Sequence, residues 1–424
     1  MSAYTLLDTN NFGSDNWCFQ LQPMLKHGLL ISLSNGDVHL LDWNTNKSKQ
    51  SFKIGNTSVN SLKTINSDTH NSDLFVGCSL DTVKLFDVRN SPEKPVASIK
   101  SLNSSPFLSV DSQHGKFACG TELKGVDAQL HIYDIRKLNS TWKSFIDSHH
   151  DDITCIKFHP SDPNVLLSGS TDGYTNIYDL TEEDEDDSLH QVINYNSIHS
   201  CGWLAPRRIF TLSHMETLAV HELNDKSEEL KEPQPLDFGD VRQRFDCDYV
   251  VDVYPGYIAA GKSHDDERCQ LKIIPFNNEI DDVSKAVVIE NPHASDVVRD
   301  VFIPSSDTTL LYSCGEDGSL KIWKYNNNGN GTGSLTIPET FWDYSKKLNV
   351  LDETNVEVNM IEEDEEDLTL KQDKAENTDL LKREASEQNE IAKEKKKKYK
   401  KNHHKKYKHK TSKKSSKSLR YKPY

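Results

Sequence analysis

Residues 313–324 read SCGEDGSLKIWK, a pattern that is typical of two strands joined by a turn. A short run of small and apolar residues leads into a tight turn at Asp317-Gly318. A second run then alternates polar and apolar side chains and reaches Trp323. Asp-Gly is a strong hairpin signal when strand patterns flank it, and alternation with a period of two is typical of a half-buried strand. The stretch therefore predicts a β-hairpin.

The same hairpin pattern recurs along the chain. The final residues of its copies are Asp42, Asp87, Asp134, Asp179, Glu222, Pro275 and Lys324. They are 45, 47, 45, 43, 53 and 49 residues apart, and a period in the mid-forties is typical of a propeller with four strands in each blade. The sequence therefore predicts an all-β fold, a seven-bladed β-propeller over residues 1–325. The apolar segment 4–8 precedes the first blade, and we expect it to close the ring as the outer strand of the last blade.

Two blades carry a further set of polar residues at matched spacing, which is typical of WD (WD40) repeats. In both, a His lies eleven residues before a Pro, a Ser lies four residues before an Asp, and that Asp lies six residues before a Tyr or Trp. A turn Asp accepts a hydrogen bond from the His, and the His and the aromatic donor meet at the Ser hydroxyl. The two structural tetrads are His149, Ser168, Asp172 and Tyr178, and His293, Ser313, Asp317 and Trp323.

His, Ser and Asp also form the catalytic triad of many hydrolases. Here the set recurs at the repeat spacing and no GxSxG motif accompanies it, which favours a structural role. The 8 cysteines lie far apart without a CxxC pair, which favours buried thiols over metal ligands or disulfides. We therefore predict a non-enzymatic protein with no catalytic residue, no cofactor and no metal site.

The last blade and the degenerate fifth blade resemble those of the WD repeat-containing protein 89 family. The residues that carry the resemblance are 297–302, 315–324, 200–203 and 209–214. The resemblance covers about residues 1–345, and it implies a propeller without enzymatic activity or catalytic residues. A short basic tail follows the last blade in that family. The tail is longer and more charged here, so the resemblance implies nothing about its role.

The sequence changes character after the last blade. Residues 326–333 read NNNGNGTG and predict a flexible linker over 326–351. The stretch 352–370 contains no Lys or Arg and predicts an acidic disordered segment, and 371–424 predicts a charged, partly helical basic tail. Residues 391–424 hold 16 Lys and Arg and one acid, which gives this segment a charge of +15. Because the net charge of the whole chain is −16, residues 1–390 must carry −31.

The basic run has three interpretations, which are a nuclear-import signal, a contact with nucleic acid, and solvated charge. The residues assigned to the import signal are Lys395, Lys396, Lys397, Lys398, Lys400 and Lys401. Tyrosines within the run, such as Tyr399 and Tyr407, suit stacking on unpaired bases and so favour RNA. No apolar stretch is long enough to span a bilayer and no secretory signal is found. We expect a protein of the nucleus or nucleolus, without membrane contact.

Partners are expected on the loops that enter the inner strand of each blade. Exposed aromatic, arginine and acidic side chains on a rigid rim suit protein docking. The candidate rim residues are Trp17, His150, Asp151, His199, Tyr249, Asp296 and Arg299. The leading hypothesis is a protein-interaction scaffold, monomeric by itself, whose tail serves import, RNA contact or both. The alternative is an escort for basic proteins such as ribosomal proteins or histones, which would use the −31 of the body.

Overall fold

The computed structural model describes residues 4–65, 72–101, 103–226, 234–263, 269–326 and 337–352. In this part of the chain, strands form seven antiparallel sheets that are the blades of a propeller. The seven-bladed all-β architecture is thus confirmed. The first strand, β1 (Tyr4–Asn11), belongs to the last blade, and the other blades follow one another along the chain. The acidic segment and the basic tail predicted beyond Asp352 lie outside the described residues.

The first four blades contain four strands each. Blade 1 comprises β2 (Cys18–Met24), β3 (Gly28–Leu33), β4 (Asp37–Leu41) and β5 (Ser48–Lys53). Blade 2 comprises β6 (Val59–Thr64), β7 (Leu74–Ser79), β8 (Thr82–Asp87) and β9 (Ala97–Ile99). Blade 3 comprises β10 (Phe107–Gln113), β11 (Lys116–Thr121), β12 (Ala128–Asp134) and β13 (Lys143–His149). Blade 4 comprises β14 (Ile153–Phe158), β15 (Val165–Ser170), β16 (Tyr174–Asp179) and β17 (Leu189–Asn194).

The last three blades complete the ring. Blade 5 comprises β18 (Ile198–Ala205), β19 (Arg208–Ser213), β20 (Thr217–Glu222) and β21 (Leu236–Asp240). Blade 6 comprises β22 (Tyr249–Tyr254), β23 (Tyr257–Lys262), β24 (Gln270–Asn277), β25 (Ile280–Asp281) and β26 (Val287–Glu290). Blade 7 comprises β27 (Val298–Phe302), β28 (Leu310–Gly315), β29 (Ser319–Tyr325) and β1. The helices described are single turns, α1 (Glu185–Ser188), α2 (Arg242–Phe245) and a 3₁₀ turn (Val283–Lys285).

Apolar side chains fill the space between neighbouring blades. Between blades 1 and 2, the rings of Phe52, Phe75 and Phe86 lie 5.0–5.5 Å apart and are buried. Strand β3 is buried at every position because it packs against other sheets on both faces. All eight cysteines are buried and none forms a disulfide. Each blade therefore depends on its neighbours for its hydrophobic core.

Strand β1 closes the ring. It pairs antiparallel with β29, from Tyr4 opposite Tyr325 to Asn11 opposite Ser319. The Tyr4 ring is 3% exposed and packs edge-on against Tyr325, with ring centres 5.4 Å apart. This pairing covers the edge of β29, whose backbone groups would otherwise be open to another strand. The N-terminal segment therefore supplies the outer strand of the last blade, as its sequence predicts.

The inner strand of every blade carries a register shift near its start. The residues at these β-bulges are Phe19, Asn60, Leu108, Thr154, His199, Val251 and Arg299. A bulge bends a strand and re-aims the side chain of the extra residue. The seven bulges thus surround the end of the central channel at which the inner strands begin. We call this end of the ring the rim face.

Residues 337–352 cross the opposite end of the ring. Ile337 is buried in the core between blades 6 and 7, and Phe341 packs against the core between blades 5 and 6. Leu348 and Val350 are buried in the core between blades 4 and 5. The segment thus contacts four successive blades, and we call residues 337–352 the strap.

The strap differs from the flexible linker that the sequence predicts over 326–351. The linker signal comes from the Asn-Gly run 326–333, whereas the apolar residues after that run are too few and too irregularly spaced to predict a strand or helix. Their burial comes from tertiary contacts with strands far away in the sequence, such as β15 and β23. A local sequence pattern does not predict such contacts.

Candidate functional site

Aromatic and arginine side chains gather on the rim face where blades 7 and 1 meet. Trp17 is 44% exposed, and the guanidinium carbon of Arg299 lies 5.8 Å from the centre of its ring. Phe19 contacts Trp17 edge-on, with ring centres 6.1 Å apart, and Arg299 forms an ion pair with Glu316. A cation near an aromatic face is attracted by the ring, so the pair is held in place. Trp and Arg are also the residue types that contribute most at protein interfaces.

Tyr249 and Asp296 lie in the neighbouring sector, between blades 6 and 7. The hydroxyl of Tyr249 accepts a hydrogen bond of 2.7 Å from the backbone N–H of Val298, and burial raises the pKa of this phenol well above its usual range. Its ring lies against Gly261, where a Cβ atom would come within 2.1 Å of it. Tyr249 therefore supports the entry of β27, whereas Asp296 is exposed.

The remaining predicted rim residues lie in other sectors. His150 is exposed, with its Nδ1 2.7 Å from a carboxylate oxygen of Asp127. The carboxylate of Asp151 accepts a hydrogen bond of 2.9 Å from the N–H of Asp152. His199 lies on blade 5, and its ring centre is 5.3 Å from that of His214. The structure thus brings Trp17, Tyr249 and Arg299 into adjoining sectors and leaves the two histidines and Asp151 apart from them.

Several exposed apolar residues of the rim face were not found by sequence reasoning. Met215 is 58% exposed in the turn between β19 and β20, and Val126 is 74% exposed in the loop between β11 and β12. Phe19 was missed because it stands within a strand pattern, and only its bulge places it beside Trp17. Met215 and Val126 lie in turns between the second and third strands of their blades, and these turns share the rim face with the entry loops. Apolar residues in such turns could therefore have been predicted as rim residues from the sequence.

The tetrad of blade 7 forms a continuous chain of hydrogen bonds. His293 Nδ1 lies 2.8 Å from Asp317 Oδ1, His293 Nε2 lies 2.8 Å from Ser313 Oγ, and the Trp323 indole N–H donates to that same Oγ over 2.9 Å. Burial lowers the pKa of His293. The neutral imidazole therefore donates its Nδ1–H to Asp317 and accepts at Nε2 from Ser313.

The tetrad of blade 4 has the same arrangement with a Tyr in place of the Trp. His149 Nδ1 is 2.9 Å from Asp172 Oδ2, its Nε2 is 2.7 Å from Ser168 Oγ, and Ser168 Oγ is 3.3 Å from the Tyr178 hydroxyl. Both serines are fully buried, at 0% exposure. A substrate has no access to either hydroxyl, so the two networks join strands and do not form a nucleophilic site.

The central channel is lined with charged side chains. Lys63 Nζ lies 3.0 Å from a carboxylate oxygen of Asp111. Asp300 accepts a 2.7 Å hydrogen bond from the N–H of Leu21 and lies 2.5 Å from the Tyr254 hydroxyl, and burial raises its pKa to about 7. These contacts link the inner strands of neighbouring blades across the channel wall.

Comparison with known proteins agrees with this geometry. The family model "WD domain, G-beta repeat" matches residues 140–179 and 286–324, the two segments that contain the tetrads. An uncharacterized WD repeat-containing protein of Saccharomyces cerevisiae is 60% identical over 352 residues, which is 83% of this chain and 88% of that protein. This chain belongs to the WD-repeat family. WD-repeat propellers act as interaction scaffolds and bind other proteins.

Two further WD-repeat relatives are similar to this chain over different shares of its length. The WD repeat-containing protein 89 homolog of Dictyostelium discoideum is 28% identical over 335 residues, 76% of this chain and 87% of that protein. The resemblance to the protein 89 family is thereby confirmed. Nuclear pore complex protein nup43 of the same organism is 29% identical over 133 residues, 31% of this chain and 30% of that protein.

The described residues also bear on membrane and metal sites. Across the described ranges, no helix is long and apolar enough to cross a membrane. In that part of the chain, no three His, Cys, Asp or Glu side chains are grouped so as to hold a metal ion. The six lysines of the predicted import signal lie outside the described residues.

Proposed function

We propose that this WD-repeat protein is a non-enzymatic scaffold of the nucleus or nucleolus whose partner proteins dock on the rim face. The observation that carries the proposal is the cluster of Trp17, Phe19 and Arg299 beside the channel mouth. The cluster is held by an aromatic contact, a cation–aromatic contact and the ion pair with Glu316, and Trp17 remains 44% exposed. Such pre-ordered anchors lower the entropic cost of binding.

The docking proposal predicts that Trp17→Ala weakens partner binding strongly. A tryptophan anchor at an interface contributes about 2 kcal/mol or more, or about 30-fold in affinity. The matched control is Trp142→Ala, because Trp142 is 45% exposed and has Lys116 Nζ 4.6 Å from its ring centre, but lies on the loop between β12 and β13. Proteins co-purified from cells with the tagged wild type are quantified by mass spectrometry for each variant. Equal recovery with both variants would contradict docking at Trp17.

The alternative of an escort for basic proteins has support in blades 3 and 4. Glu122 and Asp152 lie on facing loops of the rim face, and burial and the charge of Asp152 raise the pKa of Glu122. Among the described residues, no Lys or Arg side chain forms an ion pair with either of them. A basic partner would relieve this repulsion. Ribosomal proteins or histones that remain bound to Trp17→Ala and dissociate at high salt would favour the escort.

For the basic tail we propose nuclear import, RNA contact or both. A dense lysine cluster is the type of sequence that import receptors read. Replacing Lys395, Lys396, Lys397, Lys398, Lys400 and Lys401 by Ser in a fluorescently tagged chain is expected to shift it from nucleus to cytoplasm. The control replaces six other lysines of the tail and so removes the same charge at different positions: Lys405, Lys406, Lys408, Lys410, Lys413 and Lys414. This control variant is expected to stay in the nucleus. Unchanged nuclear accumulation of the first variant would mean that a bound partner carries the chain, and RNA contact would remain for the tail.

A further inference from the structure

The strap is held by hydrogen bonds of its backbone in addition to its buried side chains. The N–H of Leu348 donates to the carbonyl oxygen of Ser161 over 2.9 Å, and the N–H of Val350 donates to the carboxylate of Asp162 over 2.9 Å. The N–H of Lys226 donates to the carbonyl oxygen of Leu351 over 2.7 Å. Backbone hydrogen bonds of this kind do not depend on the side chains of the bound segment. They are typical of sites that bind extended peptides.

Side-chain pockets add selectivity to this backbone recognition. The indole N–H of Trp342 donates to Ser161 Oγ over 3.1 Å, and the ring lies 5.6 Å from that of His159. Leu348 and Val350 enter the core between blades 4 and 5. The strap thus places an aromatic residue six and eight positions before two aliphatic ones. This spacing describes the peptide that the site fits.

The seat of the strap is organised by contacts that do not involve the strap. His159 Nδ1 accepts hydrogen bonds from the N–H groups of Ser161 over 3.2 Å and Asp162 over 2.8 Å, and its Nε2–H donates to the carbonyl oxygen of Pro206 over 3.0 Å. Burial lowers the pKa of His159 to about 3, so the ring stays neutral and keeps its acceptor. A receptor surface formed in advance binds a peptide at a lower entropic cost.

Part of the middle of the strap is exposed to solvent, whereas residues near both of its ends are buried. Asp343 and residues 345–347 are exposed. Beneath residues 337–344 there is a cavity of about 350 Å³ in the mouth of the channel, lined by Lys63, Asp111 and Lys157 among others. The strap therefore roofs the mouth of the channel there, over a cavity whose lining combines these charged side chains with aromatic ones such as Trp203 and Phe302. Segments with few buried apolar contacts and few backbone hydrogen bonds open independently of the global fold.

We propose that the seat of the strap is a peptide-binding site, occupied in cis by residues 337–352. When the strap lifts, the site takes an extended segment of a partner protein that has an aromatic residue six and eight positions before two aliphatic ones. This site lies at the opposite end of the channel from the rim face and is independent of docking at Trp17. The protein would thus carry two partner sites, one open and one self-occupied.

The experiment uses the full chain and a fluorescent peptide of sequence IPETFWDYSKKLNVLD, residues 337–352. The double variant Leu348→Asp, Val350→Asp should detach the strap in cis, and it is expected to bind the peptide at least ten-fold more tightly than the wild type does. A peptide with Trp342→Ala should bind more weakly. The control variant Lys346→Asp, Lys347→Asp changes two exposed residues of the same strap and should bind no better than the wild type.

Two results would overturn the proposal. One is a folded double variant that does not bind the peptide, and the other is a double variant that does not fold, since the strap would then be a structural wall. Amide hydrogen exchange of the wild type gives a second measurement. The N–H groups of Leu348 and Val350 should exchange at least 100-fold faster than that of Leu167 in β15, and equal protection would also count against a site that can open.

Discussion

A chain that lacks residues 1–11 is expected to lose its stable fold. Strand β1 is the outer strand of blade 7, and its removal leaves the whole edge of β29 unpaired. It also removes Tyr4 from the core that blades 6 and 7 share with Trp323. The combined loss is about 5 kcal/mol or more, comparable with the net stability of many domains. Calorimetry of the deleted chain should show no cooperative transition near that of the full chain.

Point variants of the same strand separate pairing from packing. Tyr4→Ala keeps the backbone of β1 and removes a side chain that is 3% exposed, so we expect a loss of about 3 kcal/mol. Leu6→Ala is the matched control, because Leu6 is 51% exposed on the same strand, and its effect should be below about 0.5 kcal/mol. A synthetic peptide of residues 1–12 should restore the transition of the deleted chain. A deletion that unfolds at the midpoint of the full chain would show that the ring does not need β1.

The repeating parts of the fold were predictable because their signals are local. A tight turn between alternating strands recurs along the chain, and its period gave the number of blades. The Asp-Gly turns at 172–173 and 317–318 mark the two blades that carry the tetrads. The closure by β1 was also predictable, because segment 4–8 is apolar and precedes the first blade, so that the last blade is the one left for it to join. The hairpin signal lies within a few residues of the feature that it predicts, whereas the pairing of β1 with β29 follows from the number of repeats and from the need to cover the edge of the last blade.

The strap and the details of the rim were not predictable, because their contacts join distant parts of the chain. Val350 binds Asp162 across 188 positions, and nothing near Val350 in the sequence indicates that partner. Glu316 pairs with Arg299, whose bulge brings the guanidinium toward it, and no local pattern around Glu316 indicates that partner. Bulges and long-range backbone hydrogen bonds depend on the assembled ring.

Asp317→Ala is expected to destabilise the propeller by about 3 kcal/mol, because several donors lose one acceptor at once. The carboxylate takes hydrogen bonds from His293 Nδ1 over 2.8 Å, from the N–H of Ser319 over 3.0 Å and from Ser319 Oγ over 2.7 Å, and it forms an ion pair with Lys321 at 3.1 Å. His293 is 0% exposed, so water cannot replace the lost acceptor. Asp317→Asn keeps one acceptor oxygen and should have an intermediate effect. The measurement is the free energy of unfolding in urea.

The destabilisation caused by Asp317→Ala should depend on pH, because the pKa of the Asp317 carboxyl is lowered in the folded protein. Burial by itself would raise the pKa of Asp317, but the hydrogen bonds from His293 and Ser319 and the charge of Lys321 hold it well below its usual range. A carboxyl whose pKa is lowered on folding adds stability that is present above its unfolded pKa of about 4 and is lost as the pH falls below it. The difference between wild type and Asp317→Ala should therefore be constant from about pH 5 to 7 and shrink below about pH 4. Asp296→Ala is the control, since Asp296 is exposed on the same face and should change stability by less than about 0.5 kcal/mol at every pH. Equal and small effects of the two substitutions would mean that the tetrad of blade 7 does not contribute to holding the ring together.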